Sequence, residues 1–119
     1  MGRAQSVGQF EQIVLTSVLG LGENAYGVTI HSRVEELAVP RSVSLGAVYV
    51  TLDRLESKGL VESWLSDPRP ERGGRAKRCY RLQPLGERVL RESAESVHRL
   101  HDALLALWGE RRWKPARLR

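Results

Sequence analysis

Cysteine is nearly missing from this chain: among 119 residues only Cys79 bears a thiol. That excludes an internal disulfide and a zinc site of four cysteines, and it suits a reducing cytoplasm. Long apolar runs are missing as well. The longest, residues 13–22 (IVLTSVLGLG), is interrupted by Thr16 and Ser17 and is too short to cross a bilayer. The expectation is a cytoplasmic protein with no membrane partner. No nucleophile motif, phosphate-cradling glycine loop or paired acid and base occurs, which leaves no catalytic residue to assign, no cofactor to expect and no enzyme. Histidine is scarce too: His98 and His101 have only Glu95 and Asp102 near them in the sequence. That is not a ligand set with metal spacing, so no metal site is expected. Aromatics are absent from residues 82–107, which argues against a pocket there for a planar aromatic ligand.

What the chain has in quantity is positive charge. The formal net charge is +5 and the isoelectric point about 10.0, a balance that favours an acidic partner. With 41% hydrophobic residues the length suffices for one domain and one modest core. The basic excess is concentrated in two places. Residues 68–81 (PRPERGGRAKRCYR) place six cations in fourteen positions around a Gly-Gly pair, and the tail 109–119 sets five Lys and Arg against one Glu. Like charges so close repel unless solvent or a polyanion takes up their field.

Periodicity divides the chain. Phe10, Ile13, Val14, Val18 and Leu21 recur at helical spacing, with Leu15 and Leu19 making this first helix apolar on most sides. It therefore needs cover from more than one element. Ser6 with Gln9 resembles a capping box, and Gly20 and Gly22 supply a stop. A second helix follows with Asn24 as N-cap, a stripe of Tyr26, Ile30, Val34 and Leu37, and an end before Pro40. A third begins at Ser44, buries Leu45, Val48, Leu52 and Leu55, and stops at Gly59. Residues 60–66 and 76–82 then alternate as two strands, joined by a Pro- and Gly-rich loop. A long helix opens on Gln83 and Pro84, with a seam of Leu90, Ala94, Val97, His101, Leu104 and Trp108, widened by Leu100 and Leu107.

This order makes the fold mainly α with a small β-hairpin: a winged helix-turn-helix over residues 5–83, a C-terminal dimerisation helix over 84–108 and a basic tail over 109–119. A helix fits the DNA major groove, and a protruding hairpin reaches neighbouring phosphates. The outward face of the third helix carries Gly46, Ala47, Val50, Thr51, Arg54 and Lys58, with Tyr49 at its margin and Ser42 and Ser44 at its start. Small residues permit close approach, hydroxyls hold phosphate, and Ala47, Val50 and Thr51 suit a thymine methyl. Arg69, Arg72, Arg75, Lys77, Arg78 and Arg81 supply cations for the DNA backbone. The competing reading is a winged helix that binds protein, for which so basic a wing is unnecessary.

Three stretches carry a resemblance: LTSVLGLGENAYGVTIHSRVEE, SLGAVYVTLDRLESKGLVES and GGRAKRCYRLQPLGERVL. They resemble the PadR-type bacterial transcriptional regulators. The most specific parts are Tyr26-Gly27, the block holding Tyr49, Leu52, Leu55 and Gly59, and the wing and exit with Gly74, Arg75, Tyr80, Leu82 and Gly86. The resemblance implies a homodimeric, sequence-specific DNA-binding regulator, usually a repressor, whose last helix joins the subunits. It also implies DNA contacts at Ser42, Ser44, Gly46, Tyr49, Arg75, Lys77 and Arg78. Some relatives bind aromatic compounds, so a small-molecule effector of unknown identity is carried as a partner. Two positions depart from the pattern: Gln83 stands where Thr usually caps the last helix, and Cys79 where an aromatic is common. Strand alternation that turns Tyr80 inward turns Cys79 outward among cations that lower a thiol pKa, which raises a redox-sensing role.

Residues 84–108 would span about 37 Å as a helix, too long for so small a domain to cover. Val97, Leu104, Leu107 and Trp108 would then face water in a monomer. A two-fold pairing through these residues with Leu90 and His101, helped by Phe10, Val14 and Leu21 of the first helix, buries the seam. It also places two recognition helices about one DNA turn apart, so the expected operator is an inverted repeat.

Overall fold

The computed structural model describes residues 6–66 and 76–109. Helix α1 (Gln9–Leu21) starts after Gly8, whose N–H donates to Glu11 Oε1 at 3.1 Å. The cap is therefore not the expected Ser6–Gln9 pair. Glu11 sits where a carboxylate reaches back to the free amides of the first turn. Its other oxygen accepts from Lys58 Nζ at 3.0 Å, so Lys58 is tied to α1 and withdrawn from the outward face. A positive φ at Gly22 ends α1, and a 3₁₀ turn (Gly22–Asn24) follows.

Helix α2 (Gly27–Leu37) is capped two residues later than expected. Tyr26 takes the N-cap place, its N–H donating to Thr29 Oγ1 at 3.1 Å, while that hydroxyl donates to the Asn24 carbonyl at 2.6 Å. Ile30 and Val34 are buried as the stripe requires, but its last member is Ala38; Leu37 is exposed. Helix α3 (Leu45–Ser57) begins as anticipated, Ser44 Oγ accepting the Ala47 N–H at 3.0 Å. At its end the Gly59 N–H donates to the Glu56 carbonyl and the Leu60 N–H to the Leu55 carbonyl. That double closure needs the left-handed φ of +78° found at Gly59.

Strands β1 (Val61–Leu65) and β2 (Arg78–Leu82) pair antiparallel, with Val61 opposite Leu82 and Leu65 opposite Arg78. The far edge of β2 is also used: the Tyr80 N–H donates to the Ala25 carbonyl at 2.9 Å, and Tyr26 bridges Cys79. Helix α4 (Pro84–Gly109) opens on Pro84, with the Glu87 N–H closing onto the Gln83 carbonyl at 3.0 Å. Gly86 lies directly against the Leu60 backbone, where a Cβ would strike the carbonyl oxygen. Helix α1 packs against α2, α3, β2 and α4, the multiple cover its composition requires. The core gathers Val14, Leu15 and Val18 with Ile30, Val34, Val48, Leu52, Leu55, Leu60, Tyr80 and Val89. No helix among the described residues is long and apolar enough to cross a membrane.

Candidate nucleic-acid interface

The outer face of α3 presents Gly46, Ala47, Val50 and Arg54 to solvent, with Ser42 and Ser44 exposed at its entrance and Tyr49 39% exposed at its margin. Thr51 does not belong to this face. It is 4% exposed, and the buried stripe is Val48, Thr51, Leu52 and Leu55, while Leu45 lies at the exposed edge. At about 100° per residue this stripe is centred roughly 30° closer to Thr51 than the all-aliphatic set. Thr51 is corrected from a DNA contact to a core residue.

Two connections hold the wing to α3. Tyr49 packs its phenol on Gly27, where a Cβ would overlap the hydroxyl and stand 3.0 Å from Cε1. The preceding residue, Tyr26, carries Lys77 Nζ 3.6 Å above its ring centroid. On the other side, Arg78 Nη1 donates to Ser63 Oγ at 2.9 Å, and Ser63 Oγ lies 2.9 Å from Glu56 Oε2 near the end of α3. The first residues of α2 thus seat both a recognition-helix side chain and a wing cation. Periodicity gave no sign of this role; the only hint was the Tyr26-Gly27 pair within the family-like stretch.

The remaining wing cations divide. Arg81 is paired with Glu62, its cross-strand partner, and lies 5.2 Å from the Trp64 ring centroid, so its charge is already matched within the protein. Lys77 is half-buried on Tyr26 and Arg78 is exposed. Arg69, Arg72 and Arg75, with Gly73 and Gly74, lie outside the described residues. Cys79 is 9% exposed, against the expected outward thiol. Opposed residues of paired strands project to one face, so Cys79 sits in a row between Trp64 and Tyr26. The large neighbours close over it, and the redox-sensing reading loses its accessible thiol.

The residues expected at the subunit contact also divide. Val14 has no exposed surface and belongs to the core of its own chain, which removes it from the interface. Phe10, Leu21 and Leu90 are half-buried against that core, and Arg41 lies 5.6 Å from the Phe10 ring centroid. Farther along α4, Val97, His101, Leu107 and Trp108 are exposed, as is Leu100, while Leu104 is half-buried. A groove of about 490 Å³ is lined by Gln9, Gln12, Ile13 and Thr16 of α1 with Leu37 of α2 and Val97 of α4. His98 pairs with Asp102 at 3.3 Å on the helix surface.

A scan against protein families matches residues 15–92 to the transcriptional regulator PadR-like family. Among solved structures, a PadR family transcription regulator of Clostridium difficile is 27% identical, with a TM-score of 0.61 over 83% of this chain and 97% of that one. A PadR family transcriptional regulator from Eggerthella lenta is 27% identical, with a TM-score of 0.65 over 84% of this chain and 81% of that one. A PadR-like transcriptional regulator of Bacillus cereus, 22% identical, has a TM-score of 0.67 over 82% of this chain and 88% of that one, and supports the fold. No curated protein sequence matches.

Proposed function

Because the chain belongs to the PadR-like family of transcriptional regulators, we propose that it is a cytoplasmic repressor binding an inverted-repeat operator as a homodimer. The observation that carries this reading is the outer face of α3, small and hydroxyl-bearing, with wing cations fastened to the same structural unit. Ala47 and Val50 face the bases, Ser42, Ser44 and Tyr49 meet phosphates at the groove edge, and Arg54 and Arg78 add charge along the backbone. Lys77 and Arg75 extend that charge on the wing.

The dimer reading is supported by α4. At about 1.5 Å per residue the helix runs on the order of 39 Å, and Val97, Leu100 and Leu107 are each more than half exposed on it. Pairing two copies along α4 covers them, with Leu104, His101 and Trp108 in the same seam and Phe10 and Leu21 of α1 at its flank. Two recognition helices then stand roughly 34 Å apart, or a multiple of that, on one face of DNA.

The experiment is titration of purified protein with DNA from upstream of its own coding region and with unrelated DNA, alongside sedimentation. Wild-type protein should sediment as a dimer and prefer the upstream DNA, and transcription from that promoter should fall when protein is added. The Val97→Asp, Leu104→Asp double variant should be monomeric and lose upstream binding far more than unrelated binding. A wild-type monomer at micromolar concentration, or full affinity in the double variant, refutes the proposal.

A further inference from the structure

The link between α2 and α3 decides how the recognition helix enters a groove, because its residues lead directly into the Ser44 cap. Most of this link is exposed, including Arg41 and Ser42; Ala38 at its start and Val43 just before the Ser44 cap are buried, each at 8% exposure. The Val43 side chain is part of the core, and both of its peptide groups are held from α2. His31 Nε2 lies 2.7 Å from the Val43 carbonyl oxygen. A carbonyl only accepts, so this nitrogen carries the proton and donates. The Val43 N–H donates to Glu35 Oε2 at 3.5 Å, and Glu35 Oε1 stands 3.8 Å from His31 Nε2. His31 and Glu35 are one helical turn apart and close on one residue from both sides.

The residues on either side of Val43 are Ser42 and Ser44, the two hydroxyls assigned to phosphate at the entrance of α3. Ser44 also caps α3 through the Ala47 N–H, and Ala47 faces the bases in the proposed complex. A rotation of the Val43 peptide would therefore move two phosphate ligands and the first turn of the reading helix together. The fold has a separate anchor in the buried Val43 side chain, so the two hydrogen bonds set orientation. Recognition groups must be held to about 0.5 Å by partners behind them, or affinity for the chosen sequence falls.

We propose that His31 and Glu35 are positioning residues for sequence recognition, clamping the Val43 peptide so that Ser42, Ser44 and Ala47 meet DNA in register. The proposal rests on the DNA-binding reading above. Neither side chain is on the DNA-reading face, and neither needs to touch DNA.

The test compares wild type with His31→Leu, His31→Gln and Glu35→Ala in the full-length dimer. Three quantities are read: affinity for upstream and for unrelated DNA at one salt concentration, amide hydrogen exchange at Val43 and Ala47, and the thermal midpoint. One missing hydrogen bond of ordinary strength predicts that the upstream-to-unrelated affinity ratio falls by about three- to tenfold in His31→Leu; the Glu35 contact is longer, 3.5 Å, so Glu35→Ala should lower the ratio less. Affinity for unrelated DNA should stay within about twofold, since it depends on cations that do not move. The glutamine amide reaches the place of Nε2 and donates, so His31→Gln should restore both the ratio and the slow exchange. An unchanged ratio in His31→Leu, failure of the glutamine rescue, or equal loss for both DNAs would overturn the positioning role. Wild-type protein without any preference for upstream DNA would instead overturn the DNA-binding reading, and the exchange data would still decide whether the clamp holds Val43.

Discussion

Replacing Gly27 with alanine should damage DNA binding without damaging the fold. Gly27 is the first residue of α2, is buried, and does not have a positive φ, so alanine suits the backbone. Helix propensity alone favours the change by up to about 1 kcal/mol. The atoms nearest the added methyl all belong to the end of the Tyr49 ring, and that side chain is 39% exposed, so it has solvent to turn into. The stability change should therefore lie within about 1 kcal/mol of zero, well below the 1–3 kcal/mol typical of overpacking a closed core. Binding should respond differently. A Tyr49 hydroxyl moved off its phosphate gives up a hydrogen bond to a charged acceptor, about 1.5–3 kcal/mol, or roughly tenfold or more in Kd for each subunit. The assay is fluorescence anisotropy with upstream DNA for Gly27→Ala, Tyr49→Phe and the pair, with thermal melting as the fold control. If Gly27 acts through Tyr49, the double variant should bind about as well as the worse single one. Wild-type affinity in Gly27→Ala, or losses that add in the pair, would refute this reasoning. Gly86→Ala gives the contrasting case, because its methyl meets the Leu60 backbone; it should destabilise by about 1–3 kcal/mol and bind normally while folded.

Three further outcomes are expected. Neutralising Arg75, Lys77 and Arg78 together should lower affinity for every DNA and reduce the log–log salt slope by roughly 0.9 for each phosphate that the wing no longer neutralises; an unchanged slope in a salt titration removes the wing from the interface. Ala47→Glu should fold normally and lose upstream binding, whereas Thr51→Glu should melt far below wild type because it places a carboxylate in the core; circular dichroism separates the two. Burial, with the Asp53 carboxylate adding to it, pushes the Tyr80 phenol up to about 12. Since the folded value lies above the ordinary 10.0, its contribution is fully present below pH 10 and fades as pH rises toward 12. Denaturant unfolding at several alkaline pH values should show Tyr80→Phe lacking part of that decline.

The sequence by itself determined the features set by neighbours along the chain. Ser44 as a cap, Gly59 as a left-handed stop and Pro84 as a helix start involve groups within a turn of one another, so their chemistry is local. The two strands within residues 60–66 and 76–82 and the long helix from Pro84 are legible for the same reason, and so is most of the outward face of α3. Tertiary structure decided whatever depends on a partner distant in the chain. Thr51 is inside because the elements packed on α3 cover an arc that its apolar residues alone do not define. Val14 is inside because α1 is enclosed within its own subunit, a packing that helical periodicity cannot distinguish from a subunit contact. Cys79 is closed off by Tyr26, more than fifty residues earlier, which joins β2 as a further cross-strand neighbour. The seat of Tyr49 on Gly27 and the grip of His31 and Glu35 on Val43 arise in the same way, since a glycine or a histidine acquires such a role only when another helix or loop is brought against it.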